Sequence, residues 1–268
     1  SPNNFETQTH AANSLQGISS STISQVKNNN WELLSERLWH HIARQVGFYS
    51  GEWQPADTGA YLLLRILFSD AQHYAMAYGI AIGSGLGKSF TATHYIREND
   101  NCSYIVCKER FNRKAFLSAL LSLDALTPCD TVAEMMDQFT GHISKKEEAL
   151  LILDDAHKLK DRVLQLVILM ANSLMGKVGI VILGSEMLRT RLLDGVRLKK
   201  VGYDDIYKSI GRRFITLGTL GPKDVDLVAR ANGLFDEEAI HQVRENCGND
   251  LHKATLLISQ YTEMNIAA

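Results

Sequence analysis

Gly83-Ser84-Gly85-Leu86-Gly87-Lys88-Ser89 is the stretch of this 268-residue chain where residue type and spacing specify chemistry most directly. Closely spaced glycines let successive backbone N–H groups converge on phosphate oxygens, and a helix starting at Lys88 adds the positive end of its dipole. Lys88 is then placed to reach β- and γ-phosphates, and Ser89 to put a hydroxyl on Mg²⁺. The expected nucleotide cradle is Gly83, Ser84, Gly85, Leu86, Gly87, Lys88, Ser89 and Phe90. The G-x-x-x-x-G-K-S pattern calls for glycine at Ile82, with Gly83 beside it instead. A glycine-rich turn without a ligand is the alternative; the apolar Tyr78–Ile82 before the loop and the helical periodicity of Phe90–Arg97 after it favour phosphate binding.

A nucleotide site also needs a carboxylate at the end of an apolar strand, and Leu150-Leu151-Ile152-Leu153-Asp154-Asp155 supplies it. Asp154 is expected in the Mg²⁺ shell together with Ser89. Asp155 stands where a glutamate usually orients the attacking water, and its side chain, one methylene shorter, predicts slow hydrolysis. A cap on the following helix is the other reading of Asp155. Val178–Leu183 ends in Gly184-Ser185, which places the Ser185 hydroxyl between the two motif strands, within reach of a γ-phosphate or water. Arg212 and Arg213 precede the apolar Phe214–Leu217; such arginines can act on a neighbouring subunit's nucleotide, or belong to a solvated basic turn.

These residues need strands to carry them. Tyr78–Ile82, Ser103–Cys107, Leu150–Leu153 and Val178–Leu183 are short apolar runs separated by helical stretches, the pattern of a parallel sheet with crossover helices. The predicted fold is therefore α/β over about 56–221. Phe48–Pro55, with turn-forming Gly51 and a proline, reads as a linker after a helical, polar segment at 1–47. Beyond Gly221-Pro222, Lys223–Asn232, Asp236–Asn246 and Asp250–Met264 are amphipathic with no strand among them, which predicts a small helical domain over 222–268.

Composition bounds the rest. With 45% hydrophobic residues, 22% charged and 4 prolines the chain is globular, and its formal net charge of −2 lacks the basic balance of many nucleic-acid binders. Any affinity for DNA has to be local. No apolar run approaches the length a bilayer span needs, and the N-terminus has neither the charged nor the apolar region of a secretory signal. Cys102, Cys107, Cys129 and Cys247 lack the spacing of a zinc site, so free thiols are expected.

The order of these motifs resembles that of the AAA+ ATPases of DNA transposition, typified by phage Mu transposition protein B and TnsC, over nearly the whole chain. Leu150–Leu159 (LLILDDAHKL) is similar to that family's strand-Asp-Glu-Ala-Asp segment, Gly179–Ser185 (GIVILGS) to its sensor-1 strand, and Ile206–Phe214 to the segment with its arginine finger. Lys208, Arg212 and Arg213 are the candidates there, while Ser209 occupies a position where relatives can have arginine. Gly248–Ala254 is similar to the Gly-x-x-Leu-Arg segment of the helical lid, with His252 in place of the arginine. The resemblance implies an AAA+ P-loop ATPase core with a helical lid, ATP and Mg²⁺ as cofactors, and ATP held between subunits of a ring or filament on double-stranded DNA. It further implies target-site selection, activation of a transposase, and a cytoplasmic protein of a prokaryote, phage or mobile element.

The Mu branch also implies an N-terminal DNA-binding domain. Thr9–Leu15, a turn at Gly17 and Ser19–Val26 read as a helix-turn-helix, with exposed Ser21, Thr22 and Gln25 free to touch phosphates and base edges. Gln16 is an extra residue in that turn, and the helix expected before Phe5 is short or missing. A plain helical hairpin is the alternative. Two local charge excesses suit DNA phosphates. Lys108–Lys114 carries four positive and one negative side chain, including Lys108, Arg110, Arg113 and Lys114; Glu186–Arg213 carries eight basic and four acidic residues, including Arg189, Arg191, Arg197, Lys199 and Lys200. Two other functions share these features: a helix-turn-helix transcriptional regulator with a degenerate nucleotide switch, which predicts sequence-specific DNA binding without ATP, and a helicase-loader-like ATPase.

Overall fold

The computed structural model describes residues 18–28, 38, 42, 53–210, 214–216 and 218–267. The chain divides into two compact units, Asp57–Gly221 with Asn249–His252, and Pro222–Gly248 with Ser1–Ala56 and Lys253–Ala268.

Helix α1 (Ser20–Lys27) begins at Ser19, whose side chain accepts the Thr22 N–H at 3.1 Å. Ile18, Ile23 and Ile42 are buried together, with Val26 and Leu38 against them. The helix expected at Ser19–Val26 is thus present. Its exposed face needs correction: Ser21 is exposed and Gln25 half-buried, but Thr22 is buried and its hydroxyl bonds Ser19 Oγ at 2.8 Å. Its partner Thr9–Leu15, with Gln16 and Gly17, lies outside the described residues.

The larger unit opens with α2 (Gly59–Tyr74), capped by Thr58, and continues through β1 (Ala77–Ala81), α3 (Lys88–Glu98), β2 (Cys102–Val106), α4 (Arg113–Leu123) and α5 (Val132–Ile143). Next come β3 (Ala149–Asp154), a 3₁₀ turn (Ala156–Lys158), α6 (Asp161–Leu174), β4 (Val178–Gly184), α7 (Glu186–Arg197), α8 (Tyr203–Ser209) and β5 (Phe214–Thr216). The five strands form one parallel sheet in the order β2-β3-β4-β1-β5. Every residue of β3 and β4 is buried, which is why their sequences are continuous apolar runs rather than alternating ones: helices cover both faces. Phe116 and Leu117 of α4, Phe139 of α5 and Met170 of α6 are fully buried in the core that Leu151, Leu153, Ile180 and Ile182 share.

α9 (Pro222–Ala231), α10 (Glu237–Cys247) and α11 (Leu251–Ala267) follow the three predicted amphipathic segments; α9, α10 and α11 from Lys253 onward belong to the smaller unit. Asn232, fully buried, ties down Gln54: Gln54 N–H donates to its Oδ1 at 2.9 Å, and its Nδ2 donates to the Gln54 carbonyl at 3.1 Å. Among the described residues no helix is long and apolar enough to cross a membrane.

Candidate functional site

Strand order brings the C-terminal ends of β1, β4 and β3 side by side, the edge at which open α/β sheets bind ligands. Buried Ile82 prolongs β1 by donating its N–H to the Gly184 carbonyl at 3.0 Å. Neither Ile82 nor Gly83 has positive φ, so the motif's missing glycine is not a conformational loss here. The left-handed positions are Gly85 (φ 77°) and Gly87 (φ 78°), where glycine avoids a steric penalty, and Gly87 leads directly into α3. Lys88 folds back over the loop, its Nζ donating to the carbonyls of Ile82 at 3.1 Å and Gly83 at 2.8 Å. Burial holds the Lys88 ammonium below the usual lysine range, while Asp154 and Asp155 pull it the other way.

The two motifs meet at Asp154. Ser89 Oγ donates to Asp154 Oδ2 at 2.6 Å, and the Asp155 N–H donates to Oδ1 at 2.8 Å. The motifs do not indicate a third donor: Tyr104 Oη of β2 reaches the same Oδ2 at 2.8 Å. Burial first, and then the Asp154 charge, raise the Tyr104 phenol well above its ordinary pKa, so it stays protonated and donating. In the sequence Tyr104 is an ordinary strand residue; only the β2–β3 register, with Tyr104 opposite Ile152, places it on the face of Asp154.

Asp155 sits at φ 55° just before the 3₁₀ turn and makes no side-chain cap bond, which removes the capping alternative. Its Oδ2 instead accepts from Lys158 Nζ at 2.7 Å, a second residue the motif pattern does not indicate. Ser185 follows β4, between the two motif strands as expected, and its Oγ is buried without a hydrogen-bond partner among the described residues.

The residues fit a nucleoside triphosphate with Mg²⁺. Ser89 and Asp154 are hard oxygen donors, and Mg²⁺ takes one or two such groups together with substrate phosphates. The orphaned Ser185 hydroxyl needs a polar partner. Among the described residues no group of three or more His, Cys, Asp or Glu side chains could form an all-protein metal cage.

On the C-terminal side, the Leu251 N–H donates to the Gly85 carbonyl at 2.8 Å. The Asp250 carboxylate lies against Gly85, so close that a Cβ there would come within 2.3 Å of Oδ1. His252, exposed, donates its N–H to that carboxylate at 2.8 Å, one residue beyond the loop contact.

The basic candidates separate into two groups. Lys108, Arg110, Arg113 and Lys114 are all exposed around the β2–α4 connection. In the second region, Arg191 is committed inward, contrary to its reading as a DNA contact: it donates to the carbonyls of His157 and Leu159 and pairs with Asp161. Arg189 pairs with Glu186, Arg197 with Asp194 and Lys208 with Asp204, while Lys199 and Lys200 are exposed. Arg212 and Arg213 lie outside the described residues.

Residues 79–192 match the profile of a family described as an AAA domain. No curated protein sequence matches the chain. Among solved structures, the RuvB Holliday junction branch migration motor of Thermotoga maritima is similar over 80% of this chain, with 14% identity and a TM-score of 0.50. The chain spans 64% of that structure's length. At this identity the likeness is one of fold: an α/β core with a five-stranded parallel sheet and flanking helices.

Proposed function

We propose that this chain is an ATPase that assembles on double-stranded DNA in an ATP-dependent ring or filament, selects target DNA and activates a transposase. The observation that carries the nucleotide half is the 2.6 Å Ser89–Asp154 bond, which joins the phosphate loop to the acidic strand at one oxygen. Lys88, released from the Ile82 and Gly83 carbonyls, binds the β- and γ-phosphates. Ser89 and Asp154 would hold Mg²⁺, which would supply charge neutralisation for the phosphates. Asp155 orients the attacking water and Ser185 faces the γ-phosphate, with Arg212 or Arg213 reaching it from an adjacent subunit and His252 from the lid segment. Because the nucleotide then touches two subunits, its binding favours assembly. The DNA half is supported by the exposed Lys108, Arg110, Arg113 and Lys114, by a fold neighbour that is a Holliday junction motor, and by the order of motifs.

The test is DNA coating seen by electron microscopy on long duplexes, with and without ATP, for the native chain and for Lys88→Ala. ATP-dependent coating is expected from the native chain, and none from the variant. Equal DNA affinity in both, or sequence-specific binding that persists without ATP, overturns the reading in favour of an operator-binding regulator.

A further inference from the structure

An open groove of about 700 Å³ runs between the first turns of α4 and α6. Asn112, Arg113 and Lys114 line one side, and Lys160, Asp161 and Arg162 the other. Lys160 and Arg162 belong to no sequence motif; the fold alone sets them opposite the β2–α4 connection. Four cations against one acid give the groove a net +3 in a chain whose total is −2.

That charge is placed against the interests of the fold. The N-terminus of a helix carries the positive end of its dipole and favours acids. Yet the first turn of α4 begins Arg113-Lys114 and contains no acid. Lys160 occupies the N-cap of α6 with no side-chain cap bond, and Arg162 follows in its first turn. Asp161, the one acid present, is already engaged: Tyr203 Oη donates to it at 2.7 Å and Arg191 pairs with the same oxygen. Those bonds hold its pKa below the usual carboxylate value, the Tyr203 hydrogen bond most of all. Lys114 Nζ donates to the Asp130 carbonyl at 2.8 Å, a bond that leaves its charge uncompensated. Among the described residues, Arg113, Lys160 and Arg162 make no ion pair.

We infer that this groove binds the sugar-phosphate backbone of duplex DNA, with Lys160 and Arg162 as phosphate contacts facing Arg113 and Lys114 across it. The inference rests on the DNA-binding reading above and extends it to a second wall. Cations distributed along both sides of an open groove, at two separate helix starts, meet a line of phosphates rather than a single anion. Asn112, the neutral polar side chain there, is engaged as the cap of α4, accepting the Ala115 N–H at 2.9 Å, and cations on phosphates give a contact independent of sequence.

The experiment is fluorescence anisotropy of labelled, unrelated duplexes at several salt concentrations with Mg²⁺ and ATP, comparing the native chain with Lys160→Ala/Arg162→Ala. Removing one phosphate-binding cation flattens the slope of log K against log salt by about 0.9, so the double variant should flatten it by up to about 1.8, equally on every duplex. Nucleotide affinity should be unchanged, and the charge-preserving Lys160→Arg/Arg162→Lys chain should keep the native slope. A native slope in the alanine variant, with the native chain binding DNA, overturns the groove while leaving the DNA reading standing. Absence of duplex binding by the native chain overturns both. Loss of polyglutamate binding in the alanine variant, with its DNA slope intact, assigns the groove to an acidic protein surface and also defeats the inference.

Discussion

Asp154 has one carboxylate oxygen shared by Ser89 and Tyr104, and that sharing separates two kinds of contribution. Ser89 can leave the carboxylate to meet a cation, whereas Tyr104 has no other task in the site and fixes the orientation of the group that stays. Partners of this kind behind a metal ligand typically matter by about 10–100-fold in metal affinity. Tyr104→Phe should therefore weaken nucleotide binding about tenfold with Mg²⁺ present and leave Mg²⁺-free binding unchanged, as read by titration of a fluorescent ATP analogue. Equal losses in both conditions would make Tyr104 a packing residue. Asp155 poses the complementary question of reach. Its left-handed backbone suits aspartate better than glutamate. Asp155→Glu should raise steady-state ATP turnover by extending the carboxylate, at a small cost in thermal stability; unchanged or lower turnover would assign Asp155 to its Lys158 ion pair instead.

The elements that hold these groups are legible in the sequence to within a residue at most of their ends, because β3 is apolar up to Asp154, β4 carries no polar side chain, and helices separate them. The apolar run Tyr78–Ile82 becomes the strand Ala77–Ala81, and Ser103–Cys107 becomes Cys102–Val106. What pattern does not supply is partnership across distance. Arg191 reads as surface charge until Asp161, thirty positions earlier, closes on it. Thr22 reads as an exposed helix residue, yet it is buried with its hydroxyl bonded to Ser19 Oγ. Close approach of elements is equally invisible in one dimension. Gly179 of β4 passes the end of α2 so closely that a Cβ would lie 2.2 Å from the Ala71 carbonyl oxygen, a backbone atom with no rotamer to change. Gly179→Ala should destabilise the fold by roughly 1–3 kcal/mol. Gly141 in α5 has nothing within 4 Å of such a Cβ. Gly141→Ala should stabilise by about 0.5–1 kcal/mol through helix propensity. Urea unfolding midpoints measure both, and similar effects at the two sites would contradict this packing.

At the scale of the whole molecule, the proposed site takes Lys88, Ser89 and Asp154 from one copy and Arg212 and Arg213 from a second. A head-to-tail interface of this kind builds rings or filaments and lets complementary defects rescue each other. Lys88→Ala removes the phosphate contact but retains Arg212 and Arg213; Arg212→Ala/Arg213→Ala does the reverse. Each variant alone should show almost no ATP turnover on DNA. When they are mixed, an interface can form that pairs the intact loop of the arginine variant with the intact arginines of the Lys88→Ala chain, and part of the turnover should return. The yield should follow the product of the two fractions, peaking at equal mixture and falling toward either pure chain. If the arginines served the nucleotide of their own chain, no mixture would contain a complete site and activity would stay at the level of the separate variants. Co-assembly has to be established alongside, by tagging one chain and recovering the other with it on DNA. Co-assembled chains without recovery at any ratio would exclude action between subunits and leave the ATP dependence of assembly to be explained within one chain.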